Sequence, residues 1–173
     1  YRVHEAPDEE KVKELNSFLY NFGYKIRGNK ENIHPKAFAS ILEDIKGKNE
    51  EKVISNLILR TLKVARYEAE NKGHFGIAGK YYCHFTSPIR RYPDLYIHRI
   101  ISKYLENNYL VSEEFKEEQN EIAVKYAEKS SEKEKIAQKA ERESIDLKKA
   151  EYMENKIGEV YEGIVSGVTQ FGI

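Results

Sequence analysis

Apolar residues recur at helical spacing through the first third of the chain. Val12, Leu15, Leu19 and Phe22 fall on one face of a helix announced by Pro7-Asp8 and stopped by Gly23, because residues three and four apart share a helix face. Gly28-Asn29-Lys30 reads as a turn. Pro35 opens a second helix through Phe38, Ile41, Leu42 and Ile45 that ends at Gly47, and Asn49 caps a third carrying Ile54, Leu57, Ile58 and Leu62. These stripes read as core and carry no chemistry.

The period then changes. Asn71-Lys72-Gly73 turns the chain, and His74 to Ala78 alternates with Tyr81 to Phe85 across Gly79-Lys80, the pattern of a β-hairpin. Pro93 breaks any helix running on from Pro88, so residues 87–92 read as an irregular turn. The helix that starts near Pro93 presents Ile97, Ile100, Ile101, Tyr104 and Leu105 as one buried face that anchors this turn. From Ser112 to about Asn155 the chain is charged and helical, and Ser131 with Glu134 forms a capping box that predicts a break into two helices near Lys129-Ser130-Ser131. Most charges there are a solvated face. Residues 157–173 alternate apolar residues with glycine, as a curved and bulged strand pair does. The fold class is therefore α+β, mostly helical, with a β-hairpin and a short terminal β segment.

With 173 residues, 40% of them hydrophobic, the chain can bury one sizeable core. Lys+Arg and Asp+Glu both count 29, so the net charge is zero and any nucleic-acid site has to be a local patch, not a global field. The single cysteine, Cys83, lies in an apolar and aromatic run; it is expected to be packed, excludes an internal disulfide and suits a reducing compartment. No run approaches the length of a membrane span and the N-terminus lacks a secretory pattern. A soluble, cytoplasmic protein with no membrane role is expected. Starting at Tyr1 without methionine, the chain reads as a piece of something longer.

The chemistry concentrates in His84-Phe85-Thr86-Ser87-Pro88-Ile89-Arg90-Arg91-Tyr92-Pro93-Asp94-Leu95, followed by His98-Arg99. Thr86 or Ser87 can cap exposed backbone N–H groups, and adjacent arginines sit where a helix N-terminus already carries partial positive charge, an arrangement that invites an anion. Asp94 is four residues from both Arg90 and His98, so one carboxylate can hold an arginine on one side and an imidazole on the other. Arg99 has no acidic residue three or four positions away. Spacing alone leaves two readings level: an anion site, or a satisfied polar network with no ligand. Glu141 has Ala137, Gln138, Ser144 and Ile145 as its helix neighbours, whereas Arg142 can pair with Asp146. By spacing alone Glu141 is a solvated surface glutamate.

The whole motif closely resembles the signature of the RNase R and RNase II family of hydrolytic 3′ to 5′ exoribonucleases, and its arginine pair and tyrosine lean toward the RNase R branch. Tyr1-Arg2-Val3-His4, Gly73-His74-Phe75-Gly76 and Ala140-Glu141-Arg142 extend the resemblance over essentially the entire chain. It implies that residues 1–156 are the C-terminal part of a catalytic domain and that residues 157–173 open an RNA-binding barrel of the ribosomal-protein-S-one type, cut off after its first strands. By the same resemblance Arg90 is the catalytic arginine and Glu141 lies at the catalytic end of the RNA channel. His74 and Phe75 would line the channel; Thr86, Ser87, Arg91, Tyr92 and Arg99 are the further RNA-binding candidates, and Phe171 offers a base-stacking surface. Tyr92 also reads as a packing residue, and Asp94 and His98 as structural support for Arg90.

The family implication is a processive, magnesium-dependent enzyme that degrades single-stranded RNA to nucleoside 5′-monophosphates and works as a monomer. The magnesium-binding aspartates are expected outside this chain, because no Asp-Asp pair or comparable acidic loop accompanies the signature. No metal ligand is assigned here, and the chain alone is expected to be inactive. Two alternatives remain: a non-catalytic RNA-binding relative on the same scaffold, and a helical scaffold protein, which accounts for residues 112–155 but leaves the signature unexplained.

Overall fold

In the computed structural model, which describes residues 1–26, 33–163, 165 and 170, the chain order is strand, three helices, strand, a short 3-10 turn and two further helices. Strand β1 (Arg2–Val3) pairs antiparallel with β2 (Arg66–Tyr67), Arg2 opposite Tyr67 and Val3 opposite Arg66. Between them run α1 (Glu9–Tyr20), α2 (Pro35–Ile45) and α3 (Glu51–Thr61). After β2 come α4 (Tyr92–Glu106) and α5 (Glu113–Glu154). The class is α+β, as expected. The chain divides into two compact units, Tyr1–Ser131 and Glu132–Ile173, and α5 runs from the first into the second.

The core of the first unit is the meeting of the three apolar stripes: Val12, Leu15 and Leu19 of α1, Phe38, Ile41 and Ile45 of α2, and Ile54 and Ile58 of α3, with Ile26 beside them. Local chemistry sets the ends of these helices. His34 Nδ1 accepts from the Lys36 N–H at 3.2 Å ahead of Pro35, and Gly23, at φ +79°, takes the left-handed conformation that closes α1. Asn49 does not cap α3. Glu50 occupies that position without a side-chain cap, and Glu51 reaches back to accept the Gly47 N–H at 2.7 Å.

Four further expectations are corrected. The hairpin over 74–85 does not form: Phe75–Ile77 is a 3-10 turn, and His74 bridges in parallel to His4 and antiparallel to Gly79. The N-terminal segment takes the place of a second hairpin arm, with the Phe75 N–H donating to the His4 carbonyl at 2.7 Å and the Arg2 N–H to the Tyr82 carbonyl at 2.9 Å. Cys83 is exposed, not packed, because the run around it forms no strand. The apolar face of α4 is only half covered; Asp94 is the residue that this helix buries completely. Helix α5 is continuous through Ser130-Ser131. Ser131 Oγ accepts from the Tyr67 N–H at 2.9 Å and donates to the Tyr67 carbonyl at 3.2 Å, so the hydroxyl serves β2 and not a helix cap.

The Gly28-Asn29-Lys30 turn lies outside the described residues, as does Phe171; of the expected terminal strand pair, the described residues 157–163 form a turn and irregular backbone, not a strand. Among the described residues no helix is long and apolar enough to cross a membrane.

Ile54 is fully buried between the three helices, so Ile54→Ala should lower the unfolding free energy by about 2–5 kcal/mol, while Leu59→Ala on the exposed face of α3 should cost about 0.5 kcal/mol or less. Urea titrations of the two variants check this; equal losses would mean that the stripe is not the core.

Candidate functional site

The motif starts from a frame built by long-range contacts. Tyr67 of β2 has its hydroxyl 2.9 Å from His84 Nδ1, and the two rings meet edge to face. Tyr82 packs edge-on against both His84 and His74, and His74 in the same manner against His4, with ring centroids 5.1–5.8 Å apart. His4 and Phe75 continue this aromatic series to Phe38 in the helical core. The backbone at Gly76 closes the corner: its N–H donates to His4 Nδ1 at 3.0 Å, and a Cβ there would stand 2.9 Å from the same nitrogen. Only glycine fits without displacing the ring.

The loop itself is pinned by one carboxylate. Asp94, in the first turn of α4 and 0% exposed, accepts at Oδ2 from the Ser87 N–H at 2.8 Å and from Arg91 Nε and Nη2 at 3.2 and 2.8 Å. The Ser87 carbonyl in turn accepts from the Arg90 and Arg91 N–H groups at 3.3 and 3.0 Å. Burial by itself would push the Asp94 carboxyl up; the Arg91 fork, the Ser87 N–H and the nearby charges of Arg91 and His84 outweigh it and hold the group below the ordinary carboxylate range. Asp94 Oδ1 is also buried and has no hydrogen-bond partner among the described residues.

This pairing differs from the spacing-based expectation in both of its arms. Asp94 holds Arg91, at three residues, and not Arg90, at four. The reason is local: α4 begins at Tyr92, which makes Arg91 its N-cap in extended conformation and turns that side chain onto the first helical turn. His98 does not reach Asp94 either. Its Nε2–H donates to the Phe85 carbonyl at 2.8 Å, a contact that fixes the tautomer, and its ring stacks on Phe85 at 4.3 Å. His98 thus supports the N-terminal side of the loop.

Arg90 is left exposed, and its guanidinium has no hydrogen bond or ion pair among the described residues. Of the other candidates, Thr86 is exposed and Ser87 half-buried, while the Arg91 fork is already engaged by Asp94. Tyr92 meets Tyr126 of α5 edge to face at 4.8 Å, and Arg99 lies 6.0 Å over the Tyr92 ring with Nη1 3.4 Å from its hydroxyl. Phe75 packs on the helical core and His74 is half-buried. Glu141 lies in the second unit, exposed on α5, and Asp146 there pairs with Lys149 at 3.6 Å instead of with Arg142.

The described residues do not fit a magnesium site. A hard divalent cation takes several oxygens at once, whereas no three His, Cys, Asp or Glu side chains cluster to hold one, and Asp94, the one buried carboxylate, is turned onto a cation already. Sequence reasoning missed Tyr67, His4 and Ser131 as the supports of this region. Ser131 and His4 meet their partners Tyr67 and Gly76 across more than sixty residues, and Tyr67 meets His84 across 17, and no local spacing signals such contacts.

Residues 1–107 match the RNB domain. Ribonuclease R of Aquifex aeolicus is 45% identical over 99% of this chain and 24% of its own length. Among solved structures, Mycoplasma genitalium RNase R in complex with ribose-methylated single-stranded RNA superposes with a TM-score of 0.90 at 30% identity, covering 99% of this chain and 27% of that one. The yeast pseudonuclease Ssd1 matches with a TM-score of 0.60 at 25% identity over 76% of this chain and 16% of its own. The chain spans about a quarter of the length of the curated relatives it matches.

Burial, with the positive charges of His4 and Arg2, holds the His74 imidazole below its ordinary 6.5. As pH falls, the unfolded chain therefore takes up this proton before the folded one does, and folding stability is lost below about pH 6.5. Urea midpoints measured between about pH 7.5 and about pH 5 should fall more steeply for the natural chain than for His74→Gln; parallel slopes would exclude His74 as the group responsible.

Proposed function

The chain belongs to the RNB domain family, and from that premise we propose that it supplies the phosphate-facing wall of a hydrolytic exoribonuclease that shortens single-stranded RNA from its 3′ end. The observation that carries this reading is the division of labour between two adjacent arginines. Arg91 is neutralised by a buried aspartate, and Arg90 stands exposed at the mouth of a helix with its charge uncompensated. A free guanidinium there matches a phosphoryl group, whose two oxygens accept its parallel N–H donors.

In the proposed reaction, water attacks the phosphorus of the terminal linkage and the bond to the 3′ oxygen of the preceding nucleotide breaks. That nucleotide keeps a 3′ hydroxyl, and the released one leaves as a 5′-monophosphate. Arg90 stabilises the charge that grows on the non-bridging oxygens. RNB-family ribonucleases generally depend on a divalent metal, and magnesium is the proposed ion here, with its ligands outside this chain; accordingly the chain alone should not hydrolyse RNA. Glu141 is proposed as a second catalytic group, and Thr86, Ser87, Tyr92, Arg99, His74, Phe75 and Phe171 as RNA contacts. Residues 157–173 are proposed to open an RNA-binding barrel, and the protein to act in the cytoplasm as a monomer.

A second reading, a non-catalytic RNA-binding relative, draws support from the likeness to the yeast pseudonuclease. It differs in what the full-length protein does to RNA, not in whether it binds.

In the full-length protein, Arg90→Ala should lower turnover of single-stranded RNA by about a hundredfold while changing its dissociation constant little. Equal losses in both would make Arg90 a binding residue, and a natural protein that binds RNA without shortening it would establish the second reading.

A further inference from the structure

Arg90 is unpaired among the described residues although a fully buried carboxylate, Asp94, stands in the first turn of the helix that follows it. Asp94 follows Arg90 by four residues, with the extended Arg91 and the start of α4 at Tyr92 between them. It is also fully buried, and a buried carboxylate without a cation is costly enough to recruit whatever cation can approach it. Yet Arg90 is exposed and unpaired among the described residues, and the fork on Asp94 comes from Arg91.

We propose that Arg91 is a positioning residue: by occupying Asp94 it keeps that carboxylate from capturing Arg90, and so holds the Arg90 guanidinium available to an RNA phosphate. The inference rests on the exoribonuclease reading and deepens it. Three observations support it. Both backbone N–H groups bond to the same Ser87 carbonyl, so the two arginines leave one tight turn. Asp94 places its paired oxygen on Ser87 and Arg91 together, which makes the loop conformation and the choice of arginine a single event. Asp94 Oδ1 remains buried and unpartnered among the described residues, so the carboxylate retains acceptor capacity for a second donor if Arg91 is withdrawn.

Removing Arg91 should therefore harm the reaction through Arg90. In the full-length protein, Arg91→Ala should lower the turnover of single-stranded RNA by about a hundredfold, the scale of a displaced reacting group, with KM changed by less than about threefold. Adding Asp94→Asn should restore most of that loss. Asparagine still accepts from the Ser87 N–H through its carbonyl oxygen, but it carries no charge with which to hold Arg90. Asp94→Asn also removes an unpaired buried charge, so urea midpoints are measured beside the kinetics: a double variant no better than Arg91→Ala, or one whose recovery of turnover only follows recovery of stability, marks a purely structural ion pair. Either result overturns the proposal, and so does an Arg91→Ala variant with unchanged turnover or one whose KM rises as far as its turnover falls; the last would mean that Arg91 itself binds RNA. Where Arg91→Ala does not fold, Arg91→Gln with and without Asp94→Asn gives the same comparison.

A crystal structure of the Arg91→Ala variant separates this proposal from the functional reading. Arg90 turned onto Asp94 supports the capture whether or not the natural protein degrades RNA, and Arg90 left in solvent overturns it. A natural protein without RNA hydrolysis, with Arg90 on Asp94 in the variant, instead sinks only the exoribonuclease reading.

Discussion

Asp94 lies at the point where the backbone of the motif, the start of α4 and the charge of its arginines meet, and its carboxylate is closed off from water on all sides. Desolvating a carboxylate is unfavourable by several kcal/mol unless strong donors replace the lost water. Here the donors are a peptide N–H and a guanidinium fork, and both come from the loop that the carboxylate holds. The loop cannot change shape without uncovering this charge. The same bond that shapes the turn from Ser87 to Arg91 therefore decides which arginine faces outward.

The rest of the first unit works as the base for that turn. The three-helix core fixes Phe38, and the aromatic series through Phe75, His4, His74, Tyr82 and His84 carries that fixed point to the first residue of the motif. Its members meet edge to face, an arrangement that favours ring positions over sliding contacts. Ser131 on α5 holds β2 at both backbone groups of Tyr67, which in turn meets His84. The motif is thus held from its N-terminal side by rings and from its C-terminal side by Asp94. The Arg90 side chain, between the two, is held by neither among the described residues.

The parts of this arrangement that follow from local chemistry were legible in the sequence. The apolar spacing of α1, α2 and α3, with Pro35, Gly23 and Gly47 as punctuation, located the core because the 3.6-residue period needs no distant partner to be read, although Phe22 and Leu42 of those stripes stand exposed. The break before Pro93 was legible for the same reason. The hairpin failed because alternation over 74–85 signals extended backbone but not which backbone it meets, and the N-terminal segment met it first. The break expected at Ser131 failed because a serine followed by a glutamate three residues on is only a local option, and a peptide from β2 claimed the hydroxyl. At the site the motif was readable, while Arg90 was expected on Asp94; which arginine Asp94 takes depended on where α4 begins, a boundary to which spacing is blind within a residue or two.

A structure of the full-length protein bound to a single-stranded RNA would test the central claim most directly. The Arg90 guanidinium should lie within hydrogen-bonding distance of a backbone phosphate while Arg91 stays forked on Asp94. Arg91 on the phosphate with Arg90 in solvent, or Arg90 drawn onto Asp94, would contradict it.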